Sequence, residues 1–137
     1  TKNEIQESNF VRAFARFSEL KRITQHPGLN HADKLKLIRK PSPNRIKSFL
    51  DKLHSFSHYS SEVSVIHFIL LQRFLHASGW ELRSINWRIL TMISLRVAQK
   101  MENEYVLSVE ELHRVYPLFT PQEFCSLEKL FLEIIDY

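Results

Sequence analysis

The run from Asn86 to Lys100, NWRILTMISLRVAQK, constrains this chain most. It reads as a helix that is apolar on nearly every side. At about 100° per residue, Ile85, Ile89, Ile93 and Val97 form one stripe, and Leu90, Met92, Leu95 and Ala98 cover much of the rest. A helix that is apolar all round is buried at the centre of something larger. Lys100 closes the run and falls between Ile89 and Ile93 on the same wheel. Two readings of that lysine stand. Either it snorkels out at the helix end and complements the dipole there, or it meets a partner.

The flanking segments supply further helices. Phe10, Ala13, Phe14, Phe17 and Leu20 repeat at helical spacing behind Ser8 or Asn9 as N-cap, and Pro27-Gly28 stops that helix. Leu29 to Lys40 is basic and reads either as a short helix around Leu35 and Ile38 or as an extended linker. Ser42 as N-cap and Pro43 at the first helical position then open a helix with Ile46, Phe49, Leu50, Leu53 and Phe56 on one face. His58-Tyr59-Ser60-Ser61 breaks it. A broadly apolar helix runs from Glu62 to about Ala77, and Gly79 is its left-handed cap. After the central run, Ser108-Val109-Glu110-Glu111 and Thr120-Pro121-Gln122-Glu123 are capping-box sequences. Leu107 with Leu112, and Phe119 with Phe124, are their staple pairs. The last helix places Phe124, Leu127, Phe131, Ile134 and Ile135 on one face, with Glu128 on its flank.

No β-branched alternation appears, and the chain has only two glycines. The expected fold is all-α: an N-terminal helix and basic linker over residues 1–41, then five helices over 42–137 with the third at the centre. Its 137 residues suffice for one domain with a sizeable core.

The chemistry is sparse. Gly28 and Gly79 cannot make a phosphate loop or a dinucleotide fingerprint. His54 and His58 lie four apart without a glutamate between them, so no metal site is expected. Cys125, beside Phe124, reads as an inert structural thiol, and no serine sits in a glycine-flanked elbow. The expectation is a binding module, not an enzyme, with no cofactor. The single cysteine fits an intracellular setting, cytoplasm or nucleus. The longest apolar stretch, Val65 to Leu71, contains His67 and is too short for a membrane, and no secretory signal is expected. The net charge of +4 is uneven. Residues 1–58 hold 12 Lys/Arg against 5 Asp/Glu, and residues 59–137 hold 7 against 10. Lys34 to Lys52 is the densest basic part, either a solvated face or a surface for an acidic partner, phosphate or nucleic acid.

Three stretches resemble the cyclin box, and more closely the phosphate-system cyclins of yeast and the related P/U-type cyclins of plants and protists. Phe49-Leu50 with Leu53, Ser60-Ser61 and Leu70-Leu71-Gln72-Arg73-Phe74 form the first. Asn86-x-Arg88 followed without a gap by Ala98-Gln99-Lys100 forms the second. Leu127-Glu128-x-x-Phe131-Leu132-x-x-Ile135-Asp136-Tyr137 forms the third. The likeness covers about Ser42 to Tyr137. It implies a regulatory subunit that binds and activates a cyclin-dependent kinase. It also implies that Lys100 and Glu128 hydrogen-bond kinase backbone, with Val97, Met101, Leu132 and Tyr137 as apolar contacts. Such charge-assisted bonds are among the stronger contacts available.

The chain departs from the family pattern in places. The aspartate before Arg73 is Gln72, and its usual arginine partner falls at Pro43. Losing both together avoids an unpaired buried charge. The family's Asp-Asp after the lysine region is Asn103-Glu104, and its Gly-Gly before the last helix is Tyr116-Pro117. Ser42 to Ile46 reads SPNRI in place of the mitotic docking patch MRAIL. The alternative function is a cyclin-fold scaffold that binds nucleic acid or transcription machinery through Lys34 to Lys52.

Overall fold

The computed structural model describes Ser18, Ile23 and residues 25–103 and 105–136. These form six helices and, among the described residues, no strand: α1 His31–Leu37, α2 Pro43–Ser57, α3 Ser61–Ser78, α4 Trp87–Met101, α5 Val109–Val115 and α6 Pro121–Ile134. The all-α expectation holds for them. The leading apolar repeat from Phe10 to Leu20 lies outside the described residues. The segment after it takes the helical alternative, as α1.

The helix starts follow their local sequence. Ser42, Ser60, Ser108 and Thr120 each sit in extended backbone and accept a hydrogen bond from a backbone N–H three residues on. Each satisfies a donor the helix itself cannot. Thr120 and Glu123 complete a reciprocal capping box. Ser108 makes only half of one. The Glu111 carboxylate accepts from the Ser108 and Tyr105 hydroxyls and not from the Ser108 backbone. Gly79 closes α3 at φ 72°, where an L side chain would be strained. The Asn86 side chain does not cap α4; it accepts from Arg83 N and donates to Glu81 O, tying down the turn before it.

α4 is the most enclosed helix. Eleven of its fifteen residues are buried, including Ile89, Leu90, Met92, Ile93, Leu95, Val97 and Ala98 on several sides. It packs against α3 and α6, α3 also meets α6, and α5 lies against α6. Phe74 of α3 stacks on Phe131 of α6 at 4.8 Å, and Phe49 of α2 meets Trp87 of α4 edge-on at 5.3 Å. The buried Gln99 amide fixes a corner of this core. Its Nε2 donates to Ser57 Oγ at 2.7 Å, and its Oε1 accepts from Leu107 N at 3.0 Å. A buried amide with both ends partnered ties the end of α2 and the strap before α5 to α4.

Two elements differ from expectation. α3 is broadly apolar in sequence, yet only Val63, His67, Leu70 and Phe74 are buried, while Val65, Phe68 and Ile69 are more than half exposed. Its other side has no neighbour among the described helices. Cys125 is exposed on α6 and not packed beside Phe124. It is one residue off the stripe that faces the core.

His67 carries a pH consequence. Burial between α3 and α4 pushes its pKa down from 6.5 to about 4, against a weaker opposing hydrogen bond to the Thr91 backbone. The folded state therefore holds it neutral, while the unfolded chain protonates near 6.5. Its stabilising contribution is complete above that value and is lost as pH falls toward 4, by up to about 3 kcal/mol. Chemical unfolding at pH 7 and pH 5 should show this loss in the wild type and a smaller one in His67→Gln. An equal pH response in both would remove His67 as the cause.

Candidate functional site

The C-terminal turn of α4 and the middle of α6 bring three charged groups together. Lys100 Nζ donates to Glu128 Oε2 at 3.0 Å. Arg96, one turn earlier on the same face of α4, places Nε 3.2 Å from Glu128 Oε1, an ion pair without hydrogen-bond alignment. Arg96 also donates through a terminal nitrogen to Leu107 O. The positions follow from periodicity: residues four apart share a helix face, and Glu128 lies on the flank of the stripe that α6 turns inward.

The three groups differ in exposure, which sets what each can do. The Lys100 side chain is 46% exposed, whereas those of Arg96 and Glu128 are 14% and 9%. Glu128 is thus a buried carboxylate held from below by Arg96 and from its open side by Lys100. Lys100 spends one donor on that bond and keeps two for a group arriving from solvent. The local charge is one carboxylate against two cations, so the patch suits acceptors such as carbonyl oxygens.

The apolar residues named with this pair fall into three positions. Met101 is exposed beside Lys100, and Leu132 is half-buried on α6. Val97 is buried at 3% exposure and belongs to the core beneath the patch. Tyr137 lies outside the described residues. A pair that contacts a partner implies two exposed charges; in the structure only Lys100 is open, because Glu128, on the flank of the α6 stripe, is buried. Sequence reasoning also missed Arg96. The signal was present: Arg96 and Lys100, two of the three cations of a largely apolar helix, lie four residues apart near its C-terminal end.

Elsewhere the chemistry is thin. His54 and His58 meet edge-to-face at 5.3 Å, and among the described residues no three metal-ligating side chains converge. Gln72 and Pro43 are both exposed and uncharged, so neither position leaves a buried charge. Among the described residues, no helix is long and apolar enough to cross a membrane.

Residues 13–137 match the sequence model of a family described as the cyclin N-terminal domain. No curated protein and no solved structure matches the chain.

Proposed function

The chain belongs to the cyclin family, and on that premise we propose that it is a regulatory subunit that binds and activates a cyclin-dependent protein kinase. The observation that carries this reading is the 3.0 Å meeting of Lys100 with Glu128 across α4 and α6, with Met101 exposed beside it. In this reading α2 to α6 are the five helices of a cyclin box that begins at residue 42, and α4 is its central helix. Residues 1–41 precede those five helices, and the family match reaches into them as far as residue 13.

Lys100 donates to kinase backbone carbonyls, and Glu128 accepts from a kinase amide through Oε2, the oxygen it shares with Lys100, since Oε1 is buried against Arg96. Met101, Leu132 and Tyr137 are the apolar contacts, and Val97 supports them from below. Within the family, the gapless run from Asn86 to Lys100 supports a likeness to the phosphate-system and P/U-type cyclins. The chain supplies no catalytic group of its own and works inside the cell.

Affinity capture from lysate of the native cell, with the chain as bait, tests this. A cyclin-dependent kinase should be retained, and its phosphotransfer should rise when the purified chain is added, while the chain alone turns over nothing. A retained kinase whose activity ignores the chain, or capture without any kinase, would overturn the reading. The exposed Lys36, Arg39, Lys40 and Lys47 favour the second reading, a nucleic-acid scaffold. Tight DNA binding that falls steeply with salt would support it.

A further inference from the structure

Part of the basic run from Lys34 to Lys52 has a placement that kinase binding does not use. A cleft of about 380 Å³ opens between α2 and α4. Arg45 and Lys52 reach it from α2, and Arg88 reaches it from α4. No carboxylate lines it, and among the described residues none pairs with any of the three. An open depression lined by one sign of charge attracts and concentrates the opposite ion.

The cleft is held in shape. Arg88 donates to Leu37 O at 3.1 Å, and its guanidinium stands 4.4 Å over the Trp87 ring. Fixed in this way, it keeps further N–H donors for a ligand. Asn44 and Ser48 add neutral hydrogen-bonding groups at the rim. First-turn residues of both helices, Asn44 and Arg45 of α2 and Trp87 and Arg88 of α4, line the same space.

We propose that this α2/α4 cleft binds a phosphoryl group presented on a protein segment, the side chain of a phosphorylated serine or threonine. Three cations lining one open cleft offer several donors to a single dianion with several acceptor oxygens. A nucleic-acid strand fits less well. Single strands are held by exposed aromatic platforms, and here Trp87 is 1% exposed and locked edge-on to Phe49. The site does not rest on the kinase-binding reading. Arg88 and Lys100 lie twelve residues apart on α4, about 18 Å along its axis, so each can be lost while the other persists.

Calorimetric titration of the purified chain tests the proposal with four probes: a short Gly/Ala peptide carrying one phosphoserine, its unphosphorylated form, inorganic phosphate, and a twelve-nucleotide oligo-dT. The phosphopeptide should bind saturably and at least tenfold tighter than the unphosphorylated peptide and inorganic phosphate. Arg45→Glu and Lys52→Glu should each weaken it at least tenfold. Lys47→Glu, exposed and outside the cleft, should change it less than twofold. Melting curves check folding; should Arg45→Glu unfold, the exposed Lys52 carries the test alone. Equal binding of the two peptides overturns the proposal, and so does equal loss with Lys47→Glu. Inorganic phosphate binding as tightly as the phosphopeptide would make this a free-anion site. Tighter oligo-dT binding with steep salt dependence would make it a nucleic-acid site. Either result also overturns the proposal.

Discussion

Leu95→Ala is expected to lower the stability of the folded chain by about 2–5 kcal/mol, and Ile93→Ala by a similar amount. Both side chains are fully buried in α4, inside the cluster that also holds Phe74, Phe124 and Phe131. Truncation loses the transfer free energy of the removed carbons and leaves a cavity. The wall has little freedom to close, because α4 is enclosed by α3 and α6 together. Phe68→Ala is the control. Phe68 is larger, but it is 61% exposed on α3, so its loss should change stability by about 0.5 kcal/mol or less. Denaturant unfolding of the three variants measures the contrast. A Phe68→Ala penalty as large as that of Leu95→Ala would mean that α3 buries the face seen here as open.

That contrast also marks what could be read from sequence. The all-round apolarity of residues 86–100 placed α4 in the core, since no arrangement on a surface hides four sides of a helix. The caps at Ser42, Ser108 and Thr120 were legible because each is a bond made within three residues, independent of the rest of the fold. α3 was not legible in the same way. Its hydropathy is as uniform as that of α4, and which side is covered depends on where α4 and α6 lie. Cys125 shows the same limit at one residue. Its neighbours Phe124 and Leu127 are buried, yet a turn of about 100° per residue carries it to solvent.

The candidate site divides along the same line. Lys100 could be singled out as a charge closing an apolar stripe, but sequence alone left a dipole-complementing lysine standing beside a partner-binding one. The depth of Glu128 could not be read, because Arg96 compensates for its burial from another helix. Gln99 was likewise silent. Its two partners are Ser57 and Leu107, and only the packed structure brings Ser57 to it.

Lys100→Ala is expected to weaken kinase binding by about 2 kcal/mol or more, roughly thirtyfold, while the free chain melts close to wild type. The two effects separate because Lys100 lies at the open end of the pair. Its side chain is 46% exposed, so its bond to Glu128 contributes only about 0–1 kcal/mol to folding. In a complex the same ammonium is desolvated against partner carbonyls, which its removal leaves unpaired. Glu128 behaves differently. Glu128→Ala strips Arg96 of its carboxylate at a position where both side chains are largely buried, and should cost about 1–3 kcal/mol of stability. A lower melting temperature in that variant is therefore the consequence of Arg96, not evidence against the surface. Glu128→Gln keeps the shape, removes the charge and completes a double-mutant cycle with Lys100→Ala. If the two residues serve one interface, their binding losses should be less than additive. Wild-type kinase activation by Lys100→Ala would sink the assignment. A collapse of the free chain in that variant would show that the lysine serves the helix end and not a partner.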